Sequence, residues 1–169
     1  MTERETETNL NRTIELVAGY KADDQPVLEQ LLVQPGGGPG EFILTKSPAF
    51  VRGLAAGDLI RYPAETEQGY ELLRRSGNLC VRVLHKHNTE ALAEALTPEM
   101  ELHDGRMDIQ SPNLLVYTIH VSIGFQNIEA LLDRFMGQNT DSVWYYGNVY
   151  DPKDGVTPLN WWLDITRET

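Results

Sequence analysis

The chain has 169 residues, 41% of them hydrophobic and 23% charged, and a formal net charge of -11, the size and balance of one medium soluble domain or two small subdomains sharing a core. Phosphate neutralisation needs clustered Lys and Arg, so nucleic acid and anionic membrane are excluded as expected partners and a basic protein is the favoured one. No apolar run approaches the ~20 residues that cross a bilayer. The single cysteine, Cys80, can form no internal disulfide, which points to a reducing cytosol.

In chain order, residues 1–12 read as a polar disordered tail, acidic and without the apolar core of a secretory signal. Ile14, Leu16 and Ala18 alternate with polar or small residues and predict a first strand. Pro26 to Val33 is an apolar run that also suits one helical turn, through Leu28, Leu31 and Leu32. The cluster Pro35-Gly36-Gly37-Gly38-Pro39-Gly40 breaks regular structure. Glu41-Phe42-Ile43-Leu44-Thr45 resumes as a strand and stops at Ser47-Pro48. Leu59-Ile60-Arg61-Tyr62 follows the turn at Gly57-Asp58, and Tyr70 to Leu73 follows Gly69. Five short strands between turns predict an antiparallel, barrel-like sheet over residues 13–77.

After Gly77 the rhythm changes. Leu79 to Lys86 reads as a strand with Leu79, Val81 and Val83 inward. Asn88 and Thr89 precede a helix from Glu90 that Thr97-Pro98 is expected to end. Arg106–Gln110 and Leu114–Ile123 read as strands around a Ser111-Pro112-Asn113 turn. Ile128, Leu131, Leu132, Phe135 and Met136 make one helical stripe, with Gly137 at the cap position. Val143 to Tyr150 closes the series. Strand, helix, strand, strand, helix, strand is the ferredoxin-like βαββαβ order, placed at 78–150, so the fold class is α+β. Its two helices cover one sheet face, and the N-terminal strands are expected to cover the other. The extension 151–169, with Trp161-Trp162, is expected to pack back onto the body.

Chemistry-bearing motifs are sparse. His85 and His87 share a strand face, and His103 and His120 complete the histidines, but no zinc-ligand spacing accompanies them. The glycines before Glu41 lack the Gly-Lys-Ser/Thr of a phosphate loop. Cys80 lies in an apolar strand and reads as a small hydrophobe. The strands equivalent to the base-stacking strands of RNA-binding domains lack the basic-aromatic signature. No catalytic residue, metal or cofactor is predicted. Six of the fourteen cationic residues fall between 52 and 86. Arg52, Asp58, Arg74, Arg75, Ser76, Asn78 and Arg82 therefore form the candidate binding group. They serve either as an anion site built on arginine forks, or as ion pairs with Asp58, Glu65, Glu67 and Glu71 that fix the sheet. Trp144 and Tyr146, on one strand face, are a second candidate binding pair.

The series Ser47-Pro48-Ala49-Phe50-Val51-Arg52-Gly53-Leu54-Ala55-Ala56-Gly57-Asp58-Leu59-Ile60, then Arg74-Arg75-Ser76-Gly77-Asn78 and Val81-Arg82-Val83, resembles a family of small bacterial proteins catalogued only as a domain of unknown function. The likeness spans roughly residues 27–150. It implies a bacterial cytosolic protein and transfers no activity and no site residue. With no catalytic motif, the expected function is a non-enzymatic protein-binding module, in its most concrete form an immunity or antitoxin-like protein neutralising a basic partner. The opposing expectation is a small-ligand or anion-binding domain, or a small enzyme, using the Arg/Ser/Asn turn.

Overall fold

The computed structural model describes residues 11–137 and 141–167; the predicted N-terminal tail lies almost wholly outside them. Among the described residues nine strands form two antiparallel sheets. The first contains β1 (Arg12–Tyr20), β2 (Pro26–Pro35), β3 (Glu41–Leu44), β4 (Leu59–Arg61) and β5 (Glu71–Arg74), paired in chain order with β1 and β5 outermost. The ambiguous run in β2 is a strand. Leu31 and Val33 alternate inward, and the strand pairs with β1 from Arg12↔Val33 to Tyr20↔Pro26.

The second sheet contains β6 (Asn78–His85), β7 (Arg106–Gln110), β8 (Leu114–His120) and β9 (Ser142–Tyr146), in the order β7-β8-β6-β9. Helix α1 (Glu90–Glu101) joins β6 to β7, and α2 (Phe125–Met136) joins β8 to β9. The expected strand-helix-strand-strand-helix-strand succession is present. Leu79, Val81 and Val83 pack beneath the helices with Leu92, Leu96, Met100, Ile128 and Leu132.

Three local expectations are corrected. Helix α1 runs through Pro98 to Glu101. Proline removes one amide bond, but Pro98 is on the exposed side, and burial of Leu96 and Met100 on the other side carries the helix past it. Strand β8 stops at His120, where the ring Nδ1 accepts the Ser122 amide at 3.1 Å and starts a 3₁₀ turn, Val121–Ile123. Strand β9 stops at Tyr146, because beyond Gly147 the Asn148 side chain replaces the backbone as partner of β6, accepting the Cys80 amide and donating to Asn78 O. The helix does start at Glu90 after Asn88 and Thr89: Asn88 Oδ1 accepts the Glu90 amide, while the Thr89 hydroxyl at the cap position donates to Ser111 O and not to the helix.

The cover of the second sheet's other face differs from the expectation. The second sheet's far face is covered not by N-terminal strands but by the connection between β3 and β4, residues 45–58. This strap sends Val51 and Leu54 into the core of the first sheet. It sends Ala49 and Ala55 against Cys80, Leu114 and Val116 of the second. One irregular segment is thus the middle layer between two sheets, and of residues 47–58 only Phe50 and Arg52 are exposed. The C-terminal extension does pack back. Trp161 and Trp162 join the second core, and Trp161 Nε1 donates to Asn148 O at 2.9 Å.

Candidate functional site

A buried irregular segment must find partners for its peptide groups. Polar side chains on the flanking strands and turns supply them. Glu29 of β2 accepts the amides of Ala49, Phe50 and Val51 at 2.7, 2.9 and 2.8 Å. From the opposite side Arg82 of β6, 1% exposed, donates to the carbonyls of Pro48, Phe50 and Val51, with its guanidinium over the Tyr145 ring at 5.8 Å. Carboxylate and guanidinium therefore grip one run of four peptide units from two sides, sharing the Pro48–Ala49 and Phe50–Val51 peptides, without an ion pair between them. Gly147 makes this possible: a Cβ there would lie 2.8 Å from Cys80 Sγ and 2.9 Å from Arg82 Cζ.

The two ends of the strap are fastened separately. At the start, Asp108 Oδ2 accepts the Ser47 amide at 2.9 Å and the Thr118 hydroxyl, and the Ser47 hydroxyl accepts the Ala56 amide at 3.0 Å. At the end, Asp58 is 1% exposed. It accepts the Ala55 amide on Oδ2 and the Ser76 amide on Oδ1, both at 2.9 Å. Burial pushes the Asp58 carboxyl up, and the Ser76 and Ala55 amides and the Arg75 charge pull the other way. Ser76 Oγ and Asn78 Nδ2 both donate to Ala56 O at 2.8 Å. Gly57, at φ +87°, permits this close approach, because a Cβ there would meet Ser76 Cβ at 2.8 Å.

The predicted binding group is thus divided. Asp58, Arg75, Ser76 and Asn78 come together at one corner, with their polar atoms turned to the strap; Arg75 donates to Gly53 O at 3.0 Å and lies over Trp161. Arg82 is buried behind the strap. Arg74 is exposed on β5 and outside the corner. Of the expected ion pairs, Arg61–Glu71 is present at 3.0 Å, while Arg75 and Arg82 bond backbone carbonyls instead. Trp144 and Tyr146 do share a face, but it is the helix-covered one. Trp144 donates to Asp133, and Tyr146 is 8% exposed against Phe125. His85 bonds Ser142 and His87 lies 3.5 Å from Asp141. No group of three or more possible metal ligands exists among the described residues.

Arg52 is the exposed member of the predicted group that lines open space; the buried Arg82 and Tyr146 reach the same clefts only from their walls. Arg52 separates a cleft of about 280 Å³, walled by Tyr145, Tyr150, Asp151 and Gly155, from one of about 490 Å³ that includes Tyr20, Phe50 and Pro152. Tyr20 and Phe50 are 65% and 59% exposed. A second surface lies across the molecule between α1 and β7. Glu90, Glu94 and Glu101 rim a groove of about 420 Å³ floored by Ala93, Pro98 and Met107, and none of the three carboxylates has an ion-pair partner among the described residues.

Sequence reasoning missed Glu29, Asp108 and Tyr145. Glu29 carried a readable signal, since strand alternation puts it on the inward face with Leu31 and Val33. Asp108 and Tyr145 carried none, because their roles depend on a strap far away in sequence.

Fold and site define a two-sheet α+β protein organised around a clamped central strap, with no catalytic constellation among the described residues. Residues 29–144 match the family model described as Domain of unknown function (DUF4265), and the chain belongs to that family. No curated protein matches. A solved structure titled "Novel crystal structure of a hypothetical protein from Neisseria gonorrhoeae" is similar in fold. It has a TM-score of 0.62 and 17% identity, over 81% of this chain and 92% of that one.

Proposed function

We propose that the protein is a non-enzymatic binding module of the bacterial cytosol that docks a basic protein partner, in the manner of an immunity or antitoxin protein, on a ferredoxin-like half. The observation that carries this reading is the groove between α1 and β7. Three unpaired carboxylates there face one channel, and its floor offers Pro98 and the thioether of Met107. A lysine or arginine from a partner would lay its aliphatic stem on that floor and its charge among the carboxylates. The net charge of -11 supplies long-range attraction for such a partner.

The test is co-expression with the product of an adjacent gene. The reading predicts recovery of a basic partner, relief of that partner's toxicity, and loss of both in a Glu90→Gln/Glu94→Gln/Glu101→Gln variant. Association should also weaken as salt is raised. Complex formation that ignores the triple substitution and salt would overturn it.

A further inference from the structure

The Arg52 cleft is distinct from that groove and makes an independent argument. Among the described residues Arg61, Arg75, Arg82, Arg106 and Arg134 each bond a carboxylate or a carbonyl. Arg52 bonds neither, and it is the unbonded arginine that lines a cleft. Its neighbours on both sides are nevertheless held by hydrogen bonds. On one side the Val51 amide is bonded to Glu29 and its carbonyl to Arg82. On the other, the Gly53 amide donates to Gly147 O at 2.9 Å and its carbonyl accepts Arg75. A free guanidinium is therefore presented from a fixed base, which lowers the ordering cost of using it.

The surroundings specify the ligand. A fork of N–H donors matches one carboxylate. Tyr145 and Tyr150 offer ring surface beside it, each 40% exposed. Asp151 forms part of the wall, its Oδ1 accepting the Lys153 amide at 2.9 Å, and its charge disfavours a dianion such as phosphate. The volume of about 280 Å³ is at the small end of ligand sites. We propose that the Arg52 cleft is a binding site for an aromatic monocarboxylate, held by its carboxylate on Arg52 and by its ring against Tyr145 and Tyr150.

The experiment is an amide NMR titration of the whole chain with benzoate, neutral benzamide, inorganic phosphate, and a short peptide ending in a free or amidated phenylalanine. The expected result is saturable shifts for benzoate at Gly53, Gly147 and Gly155, with none there for benzamide or phosphate. Arg52→Gln should weaken benzoate roughly 10- to 100-fold, the range for a lost charge-assisted bond; Arg52→Lys should fall between. The side chain at position 52 is exposed to solvent, so both variants should match the wild-type circular dichroism. Tighter binding of the free-carboxyl peptide assigns the carboxylate to a chain terminus, and tighter benzoate to a small molecule; either result supports the site. Absence of benzoate shifts at these glycines, equal binding of benzamide, or unchanged affinity in Arg52→Gln would overturn it.

Discussion

Arg82→Met is the most instructive perturbation. Methionine approximates the length of the arginine stem and stays compatible with the buried site, so the change removes the guanidinium with little loss of packing. Three carbonyls, of Pro48, Phe50 and Val51, lose their charged donor, and the ring contact with Tyr145 disappears. Stranding a buried acceptor costs about 1–3 kcal/mol, while relief from burying a charge offsets part of the sum. The expected loss is about 3–5 kcal/mol, a large share of the ~5–15 kcal/mol available to a domain. Urea unfolding at constant m-value measures it. Glu29→Gln should itself cost about 2–3 kcal/mol, since one amide oxygen remains to accept. Because the two side chains hold the same peptides, the double variant should cost less than the sum of the singles. A loss under about 1 kcal/mol for Arg82→Met, or strict additivity, would refute the clamp.

Three further outcomes follow from local environments. Cys80 is fully buried and burial pushes its thiol up, against the pull of Arg82; iodoacetamide should leave it unlabelled in the folded protein and label it at the unfolding midpoint. Among the described residues the Tyr146 hydroxyl is buried with no hydrogen-bond partner in bonding geometry, and burial followed by the nearby Glu129 carboxylate pushes its ionisation far up. Tyr146→Phe should therefore be neutral or stabilising by up to about 1 kcal/mol in the same urea assay, whereas a clear destabilisation would mean the hydroxyl is used. Asp154 is held below the usual carboxylate value by Thr157 and Val156. A depressed folded value means its support of the 154–157 turn is complete above the unfolded value of about 3.9 and is lost as pH falls through the folded one; the Val156 and Thr157 amide resonances should report that loss only below about pH 4.

How far the sequence could be read depends on the range of each interaction. Strand alternation and helical stripes are local, so β1 to β6, α2 and the βαββαβ succession were legible from Ile14/Leu16, Leu79/Val81/Val83 and Ile128/Leu131/Leu132. Pro98 misled because propensity speaks for one residue while burial of Leu96 and Met100 speaks for the whole helix. The strap was the hardest case. Its sequence, Ser47 to Asp58, was visible as the most distinctive stretch, but its partners Glu29, Arg82, Asp108 and Ser76 come from four different strands or turns. Arginines gathered in sequence looked like a site for a ligand. In space, Arg75 and Arg82 serve the backbone, and Arg52 is left facing the solvent.

The central claim is that residues 47–58 form a fixed inner layer, in spite of having no regular structure. Native-state hydrogen exchange at the Ala49, Val51, Ala55 and Ala56 amides tests it most directly. Their acceptors are Glu29, Glu29, Asp58 and Ser47. The account predicts that these amides open only with the sheets, with protection within about 1 kcal/mol of that of Val81 and Tyr117. Exchange at the rates of an exposed loop, while Val81 and Tyr117 stay protected, would contradict it.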